Sequence, residues 1–116
     1  MRHGDITLGW ADGDYTFRLA WGELIAVQEA CDAGPAEILR RIGDGSWRVQ
    51  DLGAVILHGL LGGGCDPAVA RKLVKRYVHE NPLAESVPVA QAVLLAAISG
   101  VDDDPADVPA GKPKGA

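Results

Sequence analysis

A chain of 116 residues has room for one domain with one modest hydrophobic core. Apolar residues make up 47%, but aromatics are limited to three Trp, two Tyr and one Phe, so that core is expected to be Leu, Ile, Val and Ala. A net charge of −5 and a pI of about 5.0 argue against a duplex-DNA binder, whose affinity rests on neutralising phosphates. Cys31 and Cys65 lack CxxC spacing, so a zinc site is not expected and two reduced, partly buried thiols are. The opening MRHGDITLGW has no apolar stretch of signal-peptide type, and no apolar run approaches the roughly 18 residues of a membrane span. A cytoplasmic protein without nucleic-acid or membrane contact is the expectation.

The first elements read as a β-hairpin over residues 5–20. Ile6, Leu8 and Trp10 alternate with polar or small residues, as do Tyr15, Phe17 and Leu19. An Asp12-Gly13 turn is predicted between them, since Asp-Gly accepts the positive φ that tight hairpins require. That turn would set Trp10 across from Tyr15, Leu8 from Phe17 and Ile6 from Leu19, all on one face. A lone two-stranded hairpin is barely stable in water, so this face must lie on the helices that follow.

Helical spacing then predicts five helices. Trp21 to about Cys31 has Leu24, Val27 and Cys31 on one face with Ile25 beside it, and no obvious N-cap. Pro35 opens a short second helix with Ile38, Leu39 and Ile42 inward, and Gly43-Asp44-Gly45-Ser46 reads as a loop. A third runs from about Val49 to Leu61 on Leu52, Val55, Ile56, Gly59 and Leu60. Asp66-Pro67 caps and opens a fourth, carrying Val69, Leu73, Val74, Tyr77 and Val78 inward. Ser86 caps a fifth, with Val89, Val93, Leu94, Ala97 and Ile98 as core candidates and Gly100 as its end. The fold class is α+β, mainly α: an N-terminal hairpin packed on a bundle of about five short helices, forming one globular domain over 1–100. Residues 101–116, rich in Pro, Gly and Asp, are expected to be a disordered tail.

The motif that invites a chemical reading is Gly62-Gly63-Gly64. A P-loop needs GxxxxGK[ST] after a strand, and a dinucleotide fingerprint needs GxGxxG after a strand. Here the preceding segment is helical and no Lys-Ser or Lys-Thr follows. The run is read as a helix end that wants positive φ, with a tight reversal before Asp66. His3, His58 and His79 form no metal-binding pair, and no nucleophile has a matching base and orienting group. Cys65, near a helix start, is the one thiol with a reason for a lowered pKa. No catalytic, cofactor-binding or metal residue is assigned, and no cofactor is expected.

Two features suit binding instead. Arg71, Lys72, Lys75 and Arg76 make a basic face on the fourth helix, for which a solvated surface is the plain reading and an acidic partner the functional one. The acidic run Asp102-Asp103-Asp104 is one group able to shield it. Trp47 stands in a polar loop, as an anchor beneath it or as an exposed contact.

Read in order, ITLGWADGDYTFRLAW, GELIAVQEACDAG, SWRVQDLGAVILHGLLGGG and ARKLVKRYVHENPLAESVPVAQAVLLAAISG resemble the small tail proteins of gene transfer agents, the phage-like particles of alphaproteobacteria. The resemblance covers about residues 4–100. It carries two labels, tail tube protein and tail assembly chaperone, and implies no catalytic residues. A tube subunit stacks hexameric rings through a β-barrel, which two strands cannot build. A chaperone is small and largely helical, coats the tape-measure protein and recruits tube subunits. The expected function is therefore that of a non-enzymatic tail assembly chaperone, with a structural tube subunit as the alternative. The expected partners are the tape-measure protein and the tail tube protein, self-association is compatible with either role, and the source is a phage, a remnant prophage or a gene transfer agent. Trp47, Arg71, Lys72, Lys75, Arg76 and the free edges of the hairpin are the candidate contacts. A nucleotide-binding enzyme or a DNA-binding regulator would be the chemical alternatives.

Overall fold

The computed structural model describes residues 4–100, so the tail expected over 101–116 and His3 lie outside the described residues. The fold is α+β and mainly α. A two-stranded antiparallel hairpin, β1 (Ile6–Trp10) and β2 (Gly13–Phe17), precedes five α-helices among those residues.

The hairpin forms, but its turn moves. The turn residues are Ala11 and Asp12, and the pairs are Trp10 with Gly13, Leu8 with Tyr15 and Ile6 with Phe17. The turn thus sits one residue before the expected Asp12-Gly13 and the register shifts by two, which preserves the face, so Ile6, Leu8, Trp10, Tyr15 and Phe17 still pack on the core. The reason lies at the other end of β2. The strand stops at Phe17, the Arg18 N–H donates to the Gly59 carbonyl at 2.9 Å, and Leu19 drops into the core at 2% exposure. Held across from Ile6, Leu19 would have stayed in the sheet. The cost is a positive φ of 57° at Ala11. Two side-chain contacts hold the hairpin: the Tyr15 hydroxyl donates to the Asp12 carboxylate, and the Thr7 and Thr16 hydroxyls meet at 2.9 Å.

Helix α1 (Trp21–Cys31) starts where expected, through a device Ala20 could not advertise: Glu23 Oε1 accepts the Ala20 N–H at 3.1 Å. It ends on Asp32 in the left-handed region, φ 52°. Val27 and Cys31 face inward, whereas Ile25 is exposed. Helix α2 (Pro35–Asp44) continues through Gly43 and Asp44, where a loop was expected. Arg40 ties Glu37 to Asp44 across successive turns, at 2.7 and 2.5 Å, and Gly45 at φ 84° provides the stop one residue later.

Helix α3 (Val49–Gly62) is the hub, with α1 and α4 flanking it and β2 and α5 packed against it. Its Leu52, Val55, Ile56 and Leu60 are fully buried. So is Asp51, whose carboxylate accepts the Arg48 N–H at 2.8 Å and faces Arg41 at 3.4 Å. Helix α4 (Pro67–Val74) is capped by Asp66 as expected; the carboxylate accepts from the Ala68 and Val69 N–H groups at 3.1 and 3.2 Å. That cap sets the phase so that Ala70, not Val69, faces α3, and Val69 is 47% exposed. The helix widens into a π-helical turn over Lys75–His79. A 3₁₀ turn (Leu83–Ser86) then feeds straight into α5 (Val87–Ser99). Ser86 therefore has near-helical backbone, φ −87° and ψ −13°, and its hydroxyl does not cap α5; it is buried without a hydrogen-bond partner. Ala90, Val93, Leu94 and Ala96 take the inward positions of α5, and Ile98 faces out.

Candidate functional site

The three consecutive glycines are set by backbone packing. A Cβ on Gly62 would stand 1.8 Å from the Arg18 carbonyl oxygen, and one on Gly63 would stand 1.9 Å from that of Thr16. The end of β2 thus lies directly on the end of α3. Only Gly64 has the positive φ expected of the run, at 98°. The donors at the start of α4, where an anion would bind, are taken by the Asp66 carboxylate. This contact covers the end of β2 with α3, whereas the outer edges of the hairpin pair with no other strand among the described residues.

Among the described residues no group of three or more His, Cys, Asp or Glu is placed to hold a metal, and no helix is long and apolar enough to cross a membrane. Cys65 is not activated: burial and the Asp66 carboxylate both push its pKa up, against the lowered value expected at a helix start. Burial also pushes Cys31 up, to about 12, helped by Asp51. Both thiols are free.

Surfaces suited to binding are better developed. Arg71, Lys72, Lys75 and Arg76 all point outward from α4 and the π turn, and none of the four has an ion-pair partner among the described residues. The Arg76 guanidinium sits 5.6 Å from the centre of the Tyr77 ring. Tyr77 in turn meets Trp10 edge-on at 6.0 Å, tying this segment to the hairpin. Trp47 is only half-buried and packs against the core, so it anchors its loop while keeping part of its surface free.

Two features escaped the sequence. The first is Trp21, 80% exposed at the start of α1, where with Leu24, Ile25, Gln28 and Pro35 it lines an apolar hollow of about 390 Å³. Leu24, Val27 and Cys31 filled the inward face and Trp21 had no place on it, which was the available signal. The second is a groove of about 450 Å³ over α3, between α1 and the α4–π segment. Gly53, Ala54 and Leu57 form its floor, with Ala30 on one wall and Val74 and His79 on the other. His58 lies beside it, and burial lowers its pKa against an opposing pull from Glu23. Arg71 and Lys75 reach the groove from the basic face.

Together these features define a small helical protein carrying a β-hairpin, with its polar and apolar surfaces arranged on helix faces. A family described as phage tail tube protein, GTA-gp10, matches residues 3–100, and the chain belongs to that family. The resemblance to gene transfer agent and phage tail proteins is thereby established. Comparisons with curated proteins and with solved structures found no match.

Proposed function

We propose that this chain is a tail assembly chaperone: it binds the tape-measure protein and recruits tail tube subunits, acting by binding and not by catalysis. The supporting observation is the fold. The described residues contain one hairpin whose strands pair only with each other, and β2 ends against helix α3, so they offer no sheet to close into a barrel. Outward-facing groups on α1, α3 and α4 suit the coating of a long helical partner, where many weak contacts sum through avidity. Assembly would take place in the bacterial cytoplasm, as a phage-like particle is built. The family's description favours a second reading, a structural tube subunit of the finished particle.

Purified particles separate the two. By quantitative mass spectrometry a chaperone is scarce or absent in them, whereas a tube subunit is among the most abundant chains. Co-expression with the tape-measure protein is the direct test. A soluble complex with many copies of this chain per tape measure is the expected result. Tubes or rings formed by this chain alone, with no such complex, would overturn it.

A further inference from the structure

The α1 face and the α3 groove are complementary to one another, and both are on the same chain. The outer face of α1 is an amphipathic stripe: Trp21 and Ile25, 80% and 43% exposed, followed by exposed Glu29 and Asp32 at the C-terminal end. That end also carries the negative pole of the helix. The groove offers the reverse. Its floor is apolar and small at Gly53 and Ala54, with His79 against Gly53, and its rim carries Arg71 and Lys75 with Glu80 beside them. Those cations have no ion-pair partner among the described residues.

We infer that the chain self-associates by docking the outer face of α1 of one copy into the α3 groove of a second copy. Trp21 and Ile25 enter over Gly53, Ala54 and Leu57. Glu29 and Asp32 meet the basic rim. This is helix-in-groove recognition, with apolar anchors supplying affinity and charge setting orientation. Two different surfaces meet, so each copy keeps a second docking surface to offer.

The test uses the full chain alone, in sedimentation equilibrium from micromolar to hundreds of micromolar. The wild type is expected to associate with rising concentration, and less so at high salt. Trp21→Glu blocks the face, and the double variant Arg71→Glu with Lys75→Glu blocks the groove; all three residues are exposed, so the fold is retained. Each variant by itself is expected to associate at least tenfold more weakly. Mixed in equal amounts they pair, because one has an intact groove and the other an intact face. A monomeric wild type overturns the inference. So do variants that associate like the wild type, and weakened variants that fail to pair when mixed. No tape-measure protein is present in this assay, so its outcome stands apart from that of the chaperone reading.

Discussion

Gly62 and Gly63 show how a single hydrogen atom can decide a fold. Two carbonyl oxygens of the β2 end occupy the space that a methyl group would need. Gly62→Ala or Gly63→Ala should therefore unseat the hairpin from α3 and cost about 3 kcal/mol or more, since neither backbone can move aside cheaply. Gly22→Ala is the control, because its added carbon meets nothing and the change should be neutral or stabilising. Urea titration of the three variants checks this. Asp51 is the second residue on which much depends. It starts α3 and neutralises the nearly buried Arg41, so Asp51→Ala should lose about 2–4 kcal/mol in the same assay. Cys31 supplies a pH dependence. Its folded pKa is raised to about 12, above that of a thiol in the unfolded chain, so the folded state holds the proton longer. Stability is then unaffected below about pH 8 and falls as pH rises from there toward 12. The Cys31→Ala variant should have a flatter alkaline limb in a series of melting temperatures.

At the scale of elements, the hairpin illustrates how tertiary contacts override local turn chemistry. Asp12-Gly13 is the better turn pair by local preference, yet the chain turns on Ala11-Asp12 and accepts positive φ at an alanine. The shift frees Arg18 and Leu19 to reach α3 and the core. Ala11→Gly should relieve that backbone and raise stability by about 0.5–1 kcal/mol, part of the gain being offset by the entropy of glycine in the unfolded chain. Thermal unfolding gives the sign, and destabilisation would mean that the Ala11-Asp12 turn is not the one adopted. The π turn at Lys75–His79 is a comparable adjustment. It places Tyr77 against Trp10 and keeps Val78 buried, two of the inward positions that helical spacing predicts.

For the molecule as a whole, the three tryptophans report on two environments. Trp10 and Trp47 pack on the core, and Trp21 is 80% exposed. With Trp10 and Trp47 changed to Phe, the remaining Trp21 emission should be red-shifted and strongly quenched by iodide at low protein concentration. A blue-shifted, protected emission in the monomer would contradict the open α1 face.

The order of elements was legible in the sequence because local rules govern it. Periods of two and 3.6, Pro35, Asp66-Pro67 and Gly100 marked the hairpin and five helices to within a few residues. The basic face at Arg71, Lys72, Lys75 and Arg76 was legible for the same reason: helical spacing alone puts those groups outside. Register, the depth of the glycine contacts, the orphaned Ser86 hydroxyl and the exposure of Trp21 were not. Each depends on what another element places opposite, and that information is stored in the distance between β2 and α3, or between α1 and α4. The groove over α3 exists only because two helices flank a third without closing over it. Local sequence therefore determined which segments form and which faces are polar, whereas tertiary packing decided which backbones touch and which apolar surfaces were left uncovered.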